Sequence, residues 1–310
     1  MERNPKKTRV LVTGASGMLG KALTRFLSEK YEVLGLSKRG LPGFQRCDLS
    51  MEKEVAAIFQ SAKPALVIHT AAYSDVDGCE RDPKLAFESN VLASKNLSQA
   101  CSKNSVPWIY VSTDYVFDGR KKSPYGEKEA TSPVNIYGMT KWCGEYYALN
   151  NPVHSAVVRT SWLFGAENPS NFVNAILARL QKEKIVSVLD DQTDSPTYVK
   201  DLSGALLKIG EHLMDSQANN PKNPVHEVFH VCNSGAATRL EMTERMKEWL
   251  NLTQVKVERA DRSQVKNRLA IRPAYVVMST ERYEKFAGAK MRPWQESLRE
   301  YLKEAVLCAS

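Results

Sequence analysis

Tyr137-Gly138-Met139-Thr140-Lys141 sets a phenol and an amine four residues apart. On a helix that spacing puts both on one face. An ammonium beside a phenol favours the phenolate, drawing its pKa down from about 10 toward the working range. A phenol so tuned can give or take a proton at a carbonyl oxygen. Upstream, Ser112-Thr113-Asp114-Tyr115-Val116-Phe117-Asp118-Gly119 follows a strand-like run. A hydroxyl at the C-terminal end of a central strand stands where α/β sheets bind ligands. Thr113 is therefore expected to hydrogen-bond the same carbonyl oxygen.

Near the N-terminus, Gly14-Ala15-Ser16-Gly17-Met18-Leu19-Gly20 has the spacing G-x-x-G-x-x-G between an apolar run and a helical pattern. That context makes it a candidate dinucleotide turn. Gly14 and Gly17 let the backbone turn tightly and approach a pyrophosphate, and Gly20 lets the helix pack close to the strand. The free amides at the helix start, with Ser16, Met18 and Leu19 in the turn, face the anion. An acid after the second strand would favour NAD(H). This chain has Ser37-Lys38-Arg39 there. Those cations suit a ribose 2′-phosphate, so NADP(H) is favoured and NAD(H) is left open. Asp48, followed by Leu49, ends the third strand. It is read as an acceptor for the adenine amino group or as a cap of the next helix.

The elements that must carry these groups are legible as a rhythm. Arg9–Thr13, Tyr31–Leu36, Ala65–His69, Trp108–Ser112 and Ala156–Arg159 read as strands. They alternate with helical patterns at Gly17–Lys30, Met51–Ala62, Leu85–Lys103 and Tyr137–Leu149. Continuous apolar strands between amphipathic helices predict an α/β fold, a Rossmann-type doubly wound parallel sheet. After about residue 160 the rhythm loosens. Strands near Val186 and Phe229 mix with helices at Asn171–Lys182, Val199–His212, Arg239–Asn251 and Trp294–Val306, and Ser216–Pro224 reads as a surface loop. The expected organisation is a dinucleotide domain over 1–160 and a smaller C-terminal α/β substrate lobe over 161–310. Segments at about 198–235 return to the first sheet.

His226-Glu227-Val228-Phe229-His230 fits the zinc-protease pattern H-E-x-x-H. That chemistry needs a helix. The alternation of Val225, Glu227, Phe229 and Val231 favours a strand, in which the two histidines stand about 13 Å apart and cannot share one zinc. No metal is expected.

The 310 residues are 43% apolar and 25% charged, ordinary for a globular protein. No stretch reaches membrane-span length. The charged start Met1-Glu2-Arg3-Asn4-Pro5-Lys6-Lys7 is unlike a secretory signal, so the reading is cytoplasmic. Six cysteines, at 47, 79, 101, 143, 232 and 308, form no C-x-x-C and are read as reduced thiols. The net charge of +8 is spread along the chain, which suits a nucleotide ligand better than nucleic acid.

The glycine turn, the Ser112–Gly119 segment and the Tyr137–Lys141 pair together resemble the extended short-chain dehydrogenase/reductase superfamily. Within it, the chain resembles the dTDP-4-dehydrorhamnose reductase branch. Further matches are Thr70-Ala71-Ala72-Tyr73-Ser74-Asp75-Val76-Asp77, Arg159-Thr160-Ser161-Trp162-Leu163-Phe164, Asn171-Phe172 and Asp191-Gln192-Thr193-Asp194-Ser195-Pro196-Thr197. The resemblance implies a triad of Thr113, Tyr137 and Lys141. It implies cofactor contacts at Ala71, Ala72, Tyr73 and Asn90, and sugar-nucleotide contacts at Asp77, Trp162, Asn171 and Arg272. Trp162 also offers an apolar face with an N–H donor, which suits a deoxysugar ring; core packing is its other reading. Arg272-Pro273 matches the branch, but the segment that follows is more apolar than the branch's pattern. The implied activity is NAD(P)H-dependent reduction of the C4 ketone of a nucleotide-linked 6-deoxysugar. The chain is also similar to the regulatory β subunit of methionine adenosyltransferase, which implies a non-catalytic NADP-binding protein with a synthetase partner. A homodimer and an epimerase of the same superfamily stay open. A dehydratase needs an acid pair beside the triad, and Asp114 is followed by Tyr115.

Overall fold

The computed structural model describes residues 7–169, 171–261 and 268–307. The charged start up to residue 6 and Cys308 lie outside the described residues. The chain opens with β1 (Arg9–Thr13), α1 (Met18–Ser28), β2 (Glu32–Ser37), β3 (Gln45–Arg46), α2 (Glu52–Ala62) and β4 (Leu66–His69). Two short helices, α3 (Val76–Arg81) and α4 (Pro83–Phe87), lead through a π-helical turn at Glu88–Leu92 into α5 (Ala93–Asn104). The sequence pattern reads the last two as one helix. Then come β5 (Trp108–Thr113), α6 (Ile136–Leu149) and β6 (Ser155–Thr160).

The strands run parallel in the order β11-β6-β5-β4-β1-β2-β3, with β11 (His226–His230) added beyond β6 from far along the chain. Strand order reverses at β1, which pairs with both β2 and β4. Such a reversal opens a crevice at the carboxyl ends of the strands.

Period-two alternation explains why the inner strands, β1 and β6 among them, carry apolar runs. In β1, Val10 and Val12 pack in the core under α1, whereas Leu11 packs on the other face with residues of α2 and α5. In β6, Ala156 and Val158 face one way and Val157 the other. Both faces are covered, so neither can be polar.

The second part comprises β7 (Leu163–Phe164), α7 (Phe172–Lys182), β8 (Ile185–Val188), β9 (Thr193–Asp194), β10 (Thr197–Tyr198) and α8 (Val199–Asn219). After β11 follow β12 (Ala237–Thr238), α9 (Arg239–Trp249), β13 (Lys256–Arg259), α10 (Glu281–Ala287) and α11 (Trp294–Leu307). Its strands form three small pairs: β7 with β10, β8 with β13, and β9 antiparallel to β12. Helix α8 continues through Asn219, so the first four residues of the expected Ser216–Pro224 loop are helical.

The H-E-x-x-H residues form β11, a strand as expected. His226 Nδ1 bonds the Ser155 hydroxyl, whereas His230 Nδ1 bonds the Tyr125 carbonyl. The described residues contain no cluster of three or more His, Cys, Asp or Glu able to hold a metal ion, and no helix long and apolar enough to cross a membrane.

Candidate active site

One cavity of about 910 Å³ runs along the carboxyl edge of the sheet, from the glycine turn to α6 and on to β9 and α9. At one end the walls are largely backbone. Gly14 has φ +64, and a Cβ there would stand 2.6 Å from the Ala71 Cα. Gly20 sits over the turn, where a Cβ would meet the Gly14 carbonyl oxygen at 2.1 Å. Both positions therefore need glycine to bring α1 against β1 and β4. Gly17 precedes the helix with extended backbone, and no side chain caps α1. The first amides of α1 have no intrahelical acceptor, which leaves a cradle suited to an anion.

Ser16, Met18 and Leu19 also line this end, with Ala71, Ala72 and Tyr73 across from them. Ser37 bonds Ser16 hydroxyl to hydroxyl at 3.0 Å. Lys38 and Arg39 are exposed on the rim, and Lys38 pairs with Asp48 at 2.9 Å. Asp48 also accepts from the Ser50 amide and hydroxyl, while α2, with Met51 at its N-cap, has no side-chain cap. Asp48 thus braces the loop rather than capping the helix. Leu49 lines the cavity beside it.

Asn90 stands behind the wall. Its Oδ1 accepts from the Tyr73 amide, and its Nδ2 donates to the Tyr73 carbonyl and to Thr140. It ties the Tyr73 loop to α6 from inside the protein and does not line the cavity. Buried His69 does similar work, bridging Thr13 and Ser94.

The chemistry-bearing end is built from α6 and the end of β5. Asn135 caps α6 by accepting the Gly138 amide. Tyr137 and Lys141 lie one turn apart on that helix, and both line the cavity with Thr113. The Thr113 hydroxyl, which donates to Asp114 and accepts the Tyr115 amide, is near enough to Tyr137 to pull its phenol downward. The Tyr115 ring meets Tyr137 edge-on at 6.0 Å. Lys141 is buried with its Nζ 4.3 Å from the centre of the Tyr110 ring.

Electrostatics here differ from the sequence expectation. Burial pushes the Tyr137 phenol above its ordinary range, against the pull of the Thr113 hydroxyl. Burial also lowers Lys141 to about 7, with Glu145 opposing. Desolvation is the largest cause at both groups, and it acts in the opposite direction to the lowering of the phenol expected from spacing alone. Glu145 is itself held by Arg159 in a buried bidentate pair at 2.8 and 2.9 Å.

Several cavity residues had no role assigned from sequence. Asp114 is buried, and its carboxylate accepts from the Thr113 hydroxyl at 2.9 Å and the Ser161 hydroxyl at 2.6 Å. Asp194, from β9, is buried in the same wall, and its Oδ1 has no hydrogen-bond partner. The two carboxyls influence each other, and burial raises both above the usual carboxylate range. Along the chain Asp114 is followed by Tyr115, so no acid pair shows in the local sequence. The second acid arrives from 80 residues downstream (194 minus 114).

Trp162 lines the cavity with φ +40. A bulky residue there is a backbone outlier that its surroundings must enforce. The Thr197 amide donates to its carbonyl, and its ring packs on Phe172 and under the Arg239 guanidinium.

Three expected sugar-nucleotide residues are placed elsewhere. Arg272 forms a bidentate pair with Asp77 at 2.7 and 3.2 Å. The Ala270 amide also donates to Asp77. These charges are committed to each other, fastening the 268–273 segment to α3, and neither residue lines the cavity. Asn171 caps α7 through the Asn174 amide and donates to the Gly165 carbonyl, so it too is a brace.

The fold and the site together define a Rossmann-type protein of the short-chain dehydrogenase/reductase kind. The chain belongs to the family described as RmlD substrate binding domain, which matches residues 8–307. It is 32% identical to a dTDP-4-dehydrorhamnose reductase of Mycolicibacterium smegmatis, over 96% of this chain and 86% of that protein. It is 34% identical to methionine adenosyltransferase 2 subunit beta of Danio rerio, over 79% of this chain and 74% of that protein. A solved dTDP-4-dehydrorhamnose reductase of Bacillus anthracis, in complex with NADP, superposes with a TM-score of 0.84 at 30% identity. That match covers 96% of this chain and 99% of the other.

Proposed function

We propose that this chain is an NADPH-dependent reductase of the C4 ketone of a nucleotide-linked 6-deoxysugar, of the dTDP-4-dehydrorhamnose kind. The observation that carries the reading is that Thr113, Tyr137 and Lys141 share one cavity with the Gly14–Gly20 turn. The cradle at Gly14 and Gly20 fits a dinucleotide diphosphate, and Lys38 and Arg39 supply cations for a 2′-phosphate. A bound NADPH supplies the hydride. Thr113 orients the sugar ketone by hydrogen bonding. Tyr137 stays protonated until the ketone oxygen gains negative charge and then gives it the proton. Lys141 holds the nicotinamide ribose and steadies the phenolate that remains. Trp162 lies under the sugar. The free thiols of Cys47, Cys79 and Cys101 support a cytoplasmic reading.

The test is NADPH oxidation by the purified chain with dTDP-4-dehydrorhamnose. Cofactor consumption in step with ketone loss is expected; no consumption with this or related ketosugars removes the proposal. The Danio rerio relative favours a second reading, a regulatory subunit that binds NADP and a synthetase. Co-purification with a methionine adenosyltransferase catalytic subunit, without NADPH turnover, would select it.

A further inference from the structure

Asp194 is 3% exposed, lines the cavity, and leaves its Oδ1 without a donor. Its neighbour Asp114 is different, because Thr113 and Ser161 satisfy both of its oxygens. Arg239 lines the same wall, and its Nη1 is engaged by the Gln192 amide oxygen at 2.9 Å. A buried acceptor left unsatisfied costs free energy, and a native protein keeps one chiefly where something else supplies the donor. Asp194 is held in place independently of any ligand, since β9 pairs with β12 through Asp194 and Ala237. It feels the charges of Asp114 and of Arg239, and Arg239 in turn stacks on Trp162, the residue assigned to the sugar ring in the reading above.

We infer that Asp194 is the specificity-determining acceptor for a ring hydroxyl of the sugar, selecting hydroxylated sugars over more deeply deoxygenated ones. This rests on the nucleotide-sugar reading. A site built to hydrogen-bond a hydroxyl rejects the ligand that lacks it strongly, because the acceptor is then left buried and bare.

The test is calorimetric titration of the full-length chain, saturated with NADP+, with dTDP-rhamnose and with dTDP alone. Asp194→Ala is expected to weaken dTDP-rhamnose about 10–100-fold while leaving dTDP unchanged. Asp194→Asn keeps an acceptor oxygen and is expected to lose less. Equal loss for both ligands, or no loss in a variant that still binds NADP+, overturns the inference and leaves the reductase reading standing. A wild-type chain that binds dTDP-rhamnose no better than dTDP, and does not oxidise NADPH with the ketosugar, overturns both. Should Asp194→Ala fail to fold, the Asn variant decides the matter through the same ligand pair.

Discussion

The two ends of the cavity are made of different materials. The glycine-turn end is shaped by missing side chains and by backbone amides, with its charges exposed on the rim. The far end is crowded with ionisable groups: half-buried Tyr137, and buried Lys141, Asp114, Asp194 and the Glu145–Arg159 pair. A backbone cradle holds the same shape at every pH and resists substitution by steric exclusion. A buried charge cluster depends on protonation, and each member alters its neighbours. The first suits a ligand that must be gripped in one pose. The second suits a step in which a proton moves.

The contrast predicts separable failures. The largest is at the charged end. Tyr137→Phe removes the proton donor and keeps the ring, so its edge contact with Tyr115 survives. The turnover rate is expected to fall about 10²–10⁴-fold, with NADPH affinity nearly unchanged when measured by fluorescence titration. A comparable loss of cofactor affinity would show that the two ends are not separable.

The converse comes from Gly20→Ala. The new Cβ would meet backbone at both Gly14 and Ala15, neither of which is a flexible side chain. The cost is expected to be about 1–3 kcal/mol of stability, read by urea unfolding, together with weakened NADPH binding. Wild-type cofactor affinity in this variant would mean that the turn is not the diphosphate cradle.

Legibility in the sequence follows the same division. Glycine spacing is local, and a cradle made from seven consecutive residues is visible in one reading. The sheet was legible as well, because burial on both faces forces continuous apolar runs such as Val10-Leu11-Val12 and Val157-Val158. The part Asp194 plays is not legible, since nothing in Asp191–Thr197 says that it meets Asp114. That meeting depends on β9, β12 and the crossing of the chain over the sheet. Arg272 misled for the opposite reason. An arginine near an anionic ligand is chemically sensible, but Asp77 reaches it first, across 195 residues (272 minus 77). The signs of the pKa shifts at Tyr137 and Lys141 were also hidden, because spacing reveals a neighbour and not the depth at which both are buried.

The gentlest test exploits pH. Burial is the main cause that raises the Asp194 carboxyl, to about 7, and the charge of Asp114 adds to it. Arg239 and Arg268 pull the other way, and Asp191 pushes with Asp114. In the unfolded chain an aspartate titrates at about 4. Between those values the folded protein holds a proton that the unfolded chain has released, so this group's contribution to stability is full below about pH 4 and is lost as pH rises through about 7. Asparagine cannot carry the charge. Asp194→Asn is therefore expected to melt near the wild type at pH 4 and above it at pH 8, by about 2–4 °C for each kcal/mol of relieved charge burial. Arg39→Ala, at the cradle's rim, is expected to give a difference from wild type that stays flat over the same range. Parallel curves for wild type and Asp194→Asn would mean that this carboxyl carries no strained charge, and the contrast between the two ends would then reduce to shape alone.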